Sequence, residues 1–353
     1  MKSRSLAEHN LYSGQIRLLL WAELDRVGLI VGSERYRSCL AKISELGTDE
    51  HSRFQLLIEP SVWQKAENGL KRPFSKDDLV RILGFGRLLT EFALVPVAHG
   101  LPFSDVQEVA KLGALSNLIV TVYDHYMDLI PSDLWILSRK AIENSGVGAC
   151  PDDHEPAEDQ RAARRHVVTR LVGTYFERLT SLGHAAAHAS LVHFINRIIV
   201  LMYDAEMATA RSSADYPCER ILRRKSALPF VVMGLPIWLA MSEVRSSSLR
   251  RHLRWLYGLG EFVGWLDDAI DLDDDRQSGH PNRVHSKLSQ ASDPANECRL
   301  VVQNLARRGE RLGYWWRERV GAKNGAPTPC SDAFSAVIVS WFGGMAPRPQ
   351  VNK

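Results

Sequence analysis

Apolar residues recur every three to four positions along almost the whole chain, as in Leu112, Leu115, Leu118, Ile119 and Val122, and no run of alternating strands bounded by hairpin turns interrupts them. That period is the mark of helices that bury one face. It predicts an all-α protein with helices near 5–29, 33–46, 52–70, 76–99, 104–130, 133–145, 158–182, 185–211, 217–242, 247–274, 294–320 and 331–343. Two of these starts carry capping chemistry: Ser75 ahead of Asp77 and Asp78, and Ser104 with Gln107 three residues on. Segments 150–160, 277–296 and 321–330 lack the period and read as loops. None is long enough to separate domains, so one helical bundle over 1–353 is expected, with helices 5–70 packed on a core of 75–320.

Composition narrows the class. A hydrophobic fraction of 45% and a charged fraction of 24% are those of an ordinary globular protein. A net charge of +3 is too small to suggest a nucleic-acid surface. The longest apolar stretch, Ala227 to Met241, contains Pro229 and Pro236 and is shorter than the roughly 20 residues that span a bilayer, so a buried helix is expected there. Five scattered cysteines without a C-x-x-C pair, and a start without a secretory run, lead to the expectation of reduced thiols in the cytoplasm.

Two acidic segments carry the candidate chemistry. In VTVYDHYMDLIP, Asp124 and Asp128 are four residues apart and share a helix face with Thr121 and Asn117, which either meets solvent or lines a cavity. The segment GEFVGWLDDAIDLDDDRQSGHPN is more specific, because Asp267, Asp271 and Asp275 fall at i, i+4 and i+8. Like charges at that spacing oppose helix formation, a conflict that a hard divalent cation resolves. Oxygen-only ligands suit Mg²⁺ or Mn²⁺. A calcium loop starting at Asp271 would place Arg276 where glycine is needed and Asn282 where a bidentate glutamate is needed, which excludes it. Gly260 and Gly264, on the same face, serve either close helix packing or space for a ligand. Arg220, Arg223, Arg224 and Lys225 cluster before an apolar helix, either as a solvated charge run or as donors to a diphosphate.

With these motifs the chain resembles the class I terpene synthase and trans-isoprenyl diphosphate synthase superfamily over roughly residues 75–320. FVGWLDDAIDLDDD resembles the second D-D-x-x-D of prenyl synthases through Asp267, Asp268 and Asp271. It also fits the N/D-x-x-x-S/T/D-x-x-x-E/D pattern of cyclases through Asp267, Asp271 and Asp275. KSALPF is similar to the K-T-x-x-L-F element that places a lysine, here Lys225, on the diphosphate, and Arg220 and Arg223 bracket the position of a diphosphate-sensing arginine. D-H-Y-M-D is closer to the D-x-x-x-D of squalene-type enzymes than to D-D-x-x-D, and no G-G-K-R-x-R-P element precedes it. The absence of that element points to a bacterial-type, single-substrate cyclase. Arg311 and Tyr314, beside Trp315 and Trp316, resemble the Arg–Tyr lid pair of bacterial cyclases.

The resemblance implies a helical bundle around a central cavity and a lyase that ionises a linear prenyl diphosphate. Three Mg²⁺ ions, replaceable by Mn²⁺, would be held by Asp124, Asp128, Asp267, Asp268, Asp271 and Asp275. Tyr123, Phe230, Phe262 and Trp265 lead the aromatic residues expected at a cationic intermediate, with Phe92, Tyr203, Trp238, Trp315 and Trp316 as further members. Each could equally be core packing. Expected partners are the substrate and a second copy of the chain, with no nucleic acid and no membrane span. The competing readings are a prenyltransferase or head-to-head synthase, and a non-catalytic ion-binding protein.

Overall fold

The computed structural model describes residues 6–70, 72–98, 101–129, 159–182, 189–210, 218–241, 244–320 and 329–347; the expected helix over 133–145 and most of the expected loops 150–160 and 321–330 lie outside them. Among the described residues the chain is all-α, as the apolar period predicts, with no strand. Its helices are α1 (Leu6–Arg26), α2 (Ser33–Phe54), α3 (Pro60–Glu67), α4 (Lys76–Leu94), α5 (Phe103–Leu129), α6 (Gln160–Ser181) and α7 (Ala189–Ala210). They continue with α8 (Glu219–Gly234), a 3₁₀ turn (Leu235–Leu239), α9 (Ser246–Ile270), α10 (Leu272–Ser278), α11 (Arg283–Gln290), α12 (Pro294–Val320) and α13 (Pro329–Trp341). No described helix is long and apolar enough to cross a membrane. Two compact units result, one of Met1–Leu40, Arg211–Ala227 and Tyr257–Lys353, the other of Ala41–Ala210 and Leu228–Leu256.

The second of these units is built on α4 and α5, whose backbones meet where glycine leaves room. A Cβ on Gly86 would lie 2.5 Å from Asn117 Cβ, and one on Gly113 would lie 1.9 Å from Thr90 Oγ1. The same device corrects an expected break. The helix expected to stop at residue 46 runs on to Phe54, because a Cβ on Gly47 would stand 1.9 Å from the Val80 carbonyl oxygen and the bare position lets α4 approach. The expected helix over 52–70 is then reduced to α3. Buried Arg164 of α6 donates from Nε to the Ala66 carbonyl at 2.8 Å and from Nη2 to that of Asn68 at 3.2 Å, satisfying carbonyls at the end of α3. Glu67 joins this unit's parts by accepting from Tyr126 Oη at 3.0 Å and from the Phe74 amide at 2.7 Å.

The two capping expectations part company. Ser75 caps α4, with its hydroxyl accepting from the Asp78 amide while Asp78 accepts from the Ser75 amide, a closed capping box. The Ser104–Gln107 box does not form: α5 begins at Phe103, and Gln107 Oε1 accepts from Arg87 Nη2 at 2.6 Å instead. A buried guanidinium outcompetes a local cap.

In the other unit, α12 packs on α1. A Cβ on Gly309 would meet Leu29 Cδ1 at 2.5 Å and Phe262 Cε2 at 2.9 Å. Arg35 of α2 pairs with Asp332 of α13, and Trp21 meets Phe342 edge-on at 5.1 Å.

Gly113→Ala should destabilise the protein by about 1–3 kcal/mol through overpacking against Thr90. Thr90→Ala should restore only part of that loss, since Thr90 Cβ itself lies 2.5 Å from the added carbon. Denaturant melts of the two single variants and the double variant measure both effects.

Candidate active site

The second acidic segment lies where α9 passes into α10. The single helix expected over 247–274 ends at Ile270, and Asp271, with φ −92° and ψ 16°, bends the backbone before α10 begins. The i, i+4 ladder survives the bend: the Asp271 amide donates to the Asp267 carbonyl at 2.8 Å, and the Asp275 amide to that of Asp271 at 2.9 Å. Asp267, Asp271 and Asp275 therefore stay on one stripe.

Burial and mutual repulsion mark these carboxylates. Solvent reaches the Asp267 side chain, yet protein surrounds it on most sides, and that desolvation, reinforced by Asp271 and Asp268, pushes its carboxyl up to about 7. Trp341 Nε1 opposes the shift by donating to Asp267 Oδ1 at 3.0 Å. Asp271 is raised by burial and then by Asp275 and Asp274, with Arg17 of α1 pulling the other way. Arg17 Nε is itself buried without an acceptor.

Asp268 has a different environment. It is buried against Arg283, which binds it through Nε, donates from Nη2 to Ser226 Oγ at 3.2 Å and stacks 5.0 Å from the Trp265 ring centroid. Burial still lifts its carboxyl to about 6, against the pull of Arg283. Arg283 was hidden in the sequence because 277–296 reads as a loop, whereas residues 283–290 form α11. Asn282 begins this helix, accepting from the His285 amide at 2.9 Å. Its Nδ2 donates at 2.8 Å both to the Asp268 carbonyl and to Asp275 Oδ2. An Asn one residue before R-V-H is a capping signal that could have revealed α11.

Gly264 turns out to be a packing glycine, since a Cβ there would lie 2.1 Å from Ser226 Oγ and 2.6 Å from Arg283 Nη2. The contact lays the start of α8 along α9. There Arg223 pairs with Glu261, raising the pKa of Arg223. Glu261 is six residues, about 9 Å along the axis, before Asp267. Arg224 and Lys225 are half-buried and Arg220 is exposed on the same helix. Phe262 is fully buried, 5.4 Å from Phe334. Tyr314 is exposed, while Arg311 lines a separate cavity with Trp265.

The first acidic segment belongs to the other unit. Its polar stripe is partly used in packing: Asn117 Nδ2 donates to the Ile82 carbonyl of α4 at 2.8 Å, and Thr121 Oγ1 to the Asn117 carbonyl at 2.8 Å. Asp124 is half-buried; the Asp128 side chain lies outside the described residues. Tyr123 is buried 5.8 Å from Tyr203 beside a recess of about 20 Å³, room for about one water. Burial and the neighbouring Tyr203, Glu206 and Asp124 push its phenol upward. Phe230, Phe92 and Trp238 are buried, with Phe92 5.8 Å from Trp255 and Trp238 donating to His252 Nδ1 at 3.0 Å.

No family profile matches the chain, and no curated protein is similar to it in sequence. Among solved structures it is similar to farnesyl diphosphate synthase of T. brucei at a TM-score of 0.36 and 12% identity, covering 89% of this chain and 99% of that one. A bisphosphonate complex of the same enzyme gives a TM-score of 0.34 at 13% identity over 90% and 99%. Such values do not establish a shared topology, so the chemistry has to be read from the residues.

Two predictions follow from these carboxylates. A folded carboxyl near 7 against an ordinary 3.8 binds a proton that the unfolded chain has released, so its penalty is absent below about pH 4, grows between, and is full above about pH 7. Metal-free protein should lose thermal stability over that rise, and Asp267→Asn should flatten the slope; identical slopes would contradict it. Arg283→Met should cost about 3–5 kcal/mol in a denaturant melt, because it strands the Asp268 carboxylate in the interior.

Proposed function

We propose that this chain is a class I terpene cyclase, which ionises a linear prenyl diphosphate and closes the resulting allylic cation into a ring with release of diphosphate. The observation that carries the reading is the division of labour among adjacent aspartates. Arg283 neutralises Asp268 internally, which leaves Asp267, Asp271 and Asp275, the cyclase-type register, as the crowded set, with the charge of Arg17 near Asp271 and His280 Nδ1 3.8 Å from Asp275 as its nearby basic groups. The prenyl-synthase register would require Asp268 as a ligand.

The donor set fits magnesium. Every candidate ligand is a carboxylate oxygen, and no three carboxylate, histidine or cysteine side chains among the described residues already converge on one point. Mg²⁺ does not require such a cage, since it is commonly held by one or two carboxylates with water and substrate phosphate. Bound there, it would supply electrostatic stabilisation to the departing diphosphate. Trp341 and Asn282 orient Asp267 and Asp275 through their hydrogen bonds. Arg17 adds positive charge near Asp271. Arg220, Arg224 and Lys225 are the proposed diphosphate donors on α8, and Asp124 and Asp128 the proposed first acidic motif. Arg223 is less available, being paired with Glu261.

Incubation with one allylic diphosphate, with and without isopentenyl diphosphate, tests the assignment by product mass. A cyclic hydrocarbon or alcohol formed without the second substrate supports it; a lengthened diphosphate formed only with both substrates replaces it with prenyl transfer. Turnover should require Mg²⁺ or Mn²⁺ and cease in excess chelator. Asp267→Ala and Asp271→Ala should each lower diphosphate release by at least about a hundredfold, a loss of roughly 2.7 kcal/mol in transition-state stabilisation. Asp274→Ala, at an exposed position off the stripe, should change it little.

A further inference from the structure

Helices α9, α11 and α12 line a cavity of about 260 Å³ that none of the aspartates lines. Trp265 supplies its wall from α9, two residues and roughly 200° around the helix from Asp267. From α12 the lining positions 297, 301, 304, 305, 308 and 311 advance by helical steps and so form one stripe. Gly309, off that stripe, faces Leu29 and Phe262 instead.

Charge sets the character of the space. Lys287, Arg308 and Arg311 line it against the single carboxylate of Glu297. Among the described residues no carboxylate forms an ion pair with Lys287 or Arg311. Arg311 uses Nε on the Arg307 carbonyl of its own helix at 3.2 Å. Arg308 Nη1 is buried without a hydrogen-bond acceptor and forms a long ion pair with Glu261 Oε2 at 3.9 Å. Lys287 and Arg311 are exposed at the rim and Arg308 is half-buried, and an anion shared among them would relieve their mutual repulsion. Apolar surface adjoins them: Val301 and Leu305 are buried, and Lys287 Nζ lies 5.9 Å from the Trp265 ring centroid.

We infer that this cavity is a metal-independent site for a small organic phosphate, with the phosphate held by Lys287, Arg308 and Arg311 and a short apolar group set against Trp265, Val301 and Leu305. Its volume falls just below the roughly 300–1,000 Å³ of clefts that take drug-sized ligands, which fits a phosphate ester of a few carbons. Nothing in this assignment depends on the reaction proposed for the aspartates.

Calorimetric titration of the full chain in excess chelator, with phenyl phosphate, inorganic phosphate and phenol as probes, tests it. Phenyl phosphate should bind at least about tenfold more tightly than inorganic phosphate, with no measurable binding of phenol. Arg311→Glu and Lys287→Glu should each weaken phenyl phosphate by at least about tenfold. Arg299→Glu, exposed on α12 but off the lining stripe, should leave it unchanged. Arg311→Gln gives the same readout should a charge reversal disturb folding, which circular dichroism melts would reveal. Absence of binding in chelator, equal binding of phenol, or an Arg299→Glu effect matching that of Arg311→Glu would overturn the assignment.

Discussion

The ion pair between Arg283 and Asp268 sets the geometry of the second acidic segment. Both side chains are buried, and removing two charges from water is costly unless the pair is reinforced by further contacts. Here the reinforcement comes from several directions: Ser226 accepts from the guanidinium, Trp265 stacks on it, and Gly264 leaves the space in which it sits. One arginine thereby joins α8, α9 and α11. Because Asp268 is committed to this task, the neighbouring aspartates can remain under mutual repulsion without endangering the fold.

The groups that touch those remaining carboxylates are mostly neutral donors. An indole N–H from Trp341 and an amide from Asn282 fix positions without cancelling charge. A fully neutralised stripe would have little left to offer a cation, and an unsupported one would rotate away from its neighbours. Burial and the neighbouring carboxylates together drive Asp267 far from its ordinary value.

Much of this was legible in the sequence, within limits set by distance along the chain. Helical spacing alone located α4 through its Ser75 cap and placed Asp267, Asp271 and Asp275 on a common face. What escaped was non-local. Gly47 lies inside a helix because α4 presses on it, and Gln107 abandons its cap because Arg87, twenty residues earlier, reaches it. Arg17 and Trp341 flank the aspartates from opposite ends of the chain, where no spacing rule connects them. The loop reading of 277–296 failed for a local reason: α11 has only eight residues, too few for its apolar period to register against His280, Pro281 and Asn282.

The hydrogen bond from Trp341 to Asp267 gives the protein an intrinsic optical probe. Indole emission responds to a full negative charge at the pyrrole nitrogen, and here that charge belongs to a carboxylate poised close to neutrality. Whatever quenches or restores it, a proton or a cation, is transmitted to the electronic state of one ring at the end of α13. With Trp341 replaced by phenylalanine as the subtraction reference, the light emitted by the native chain would report the occupancy of its acidic stripe without any added label.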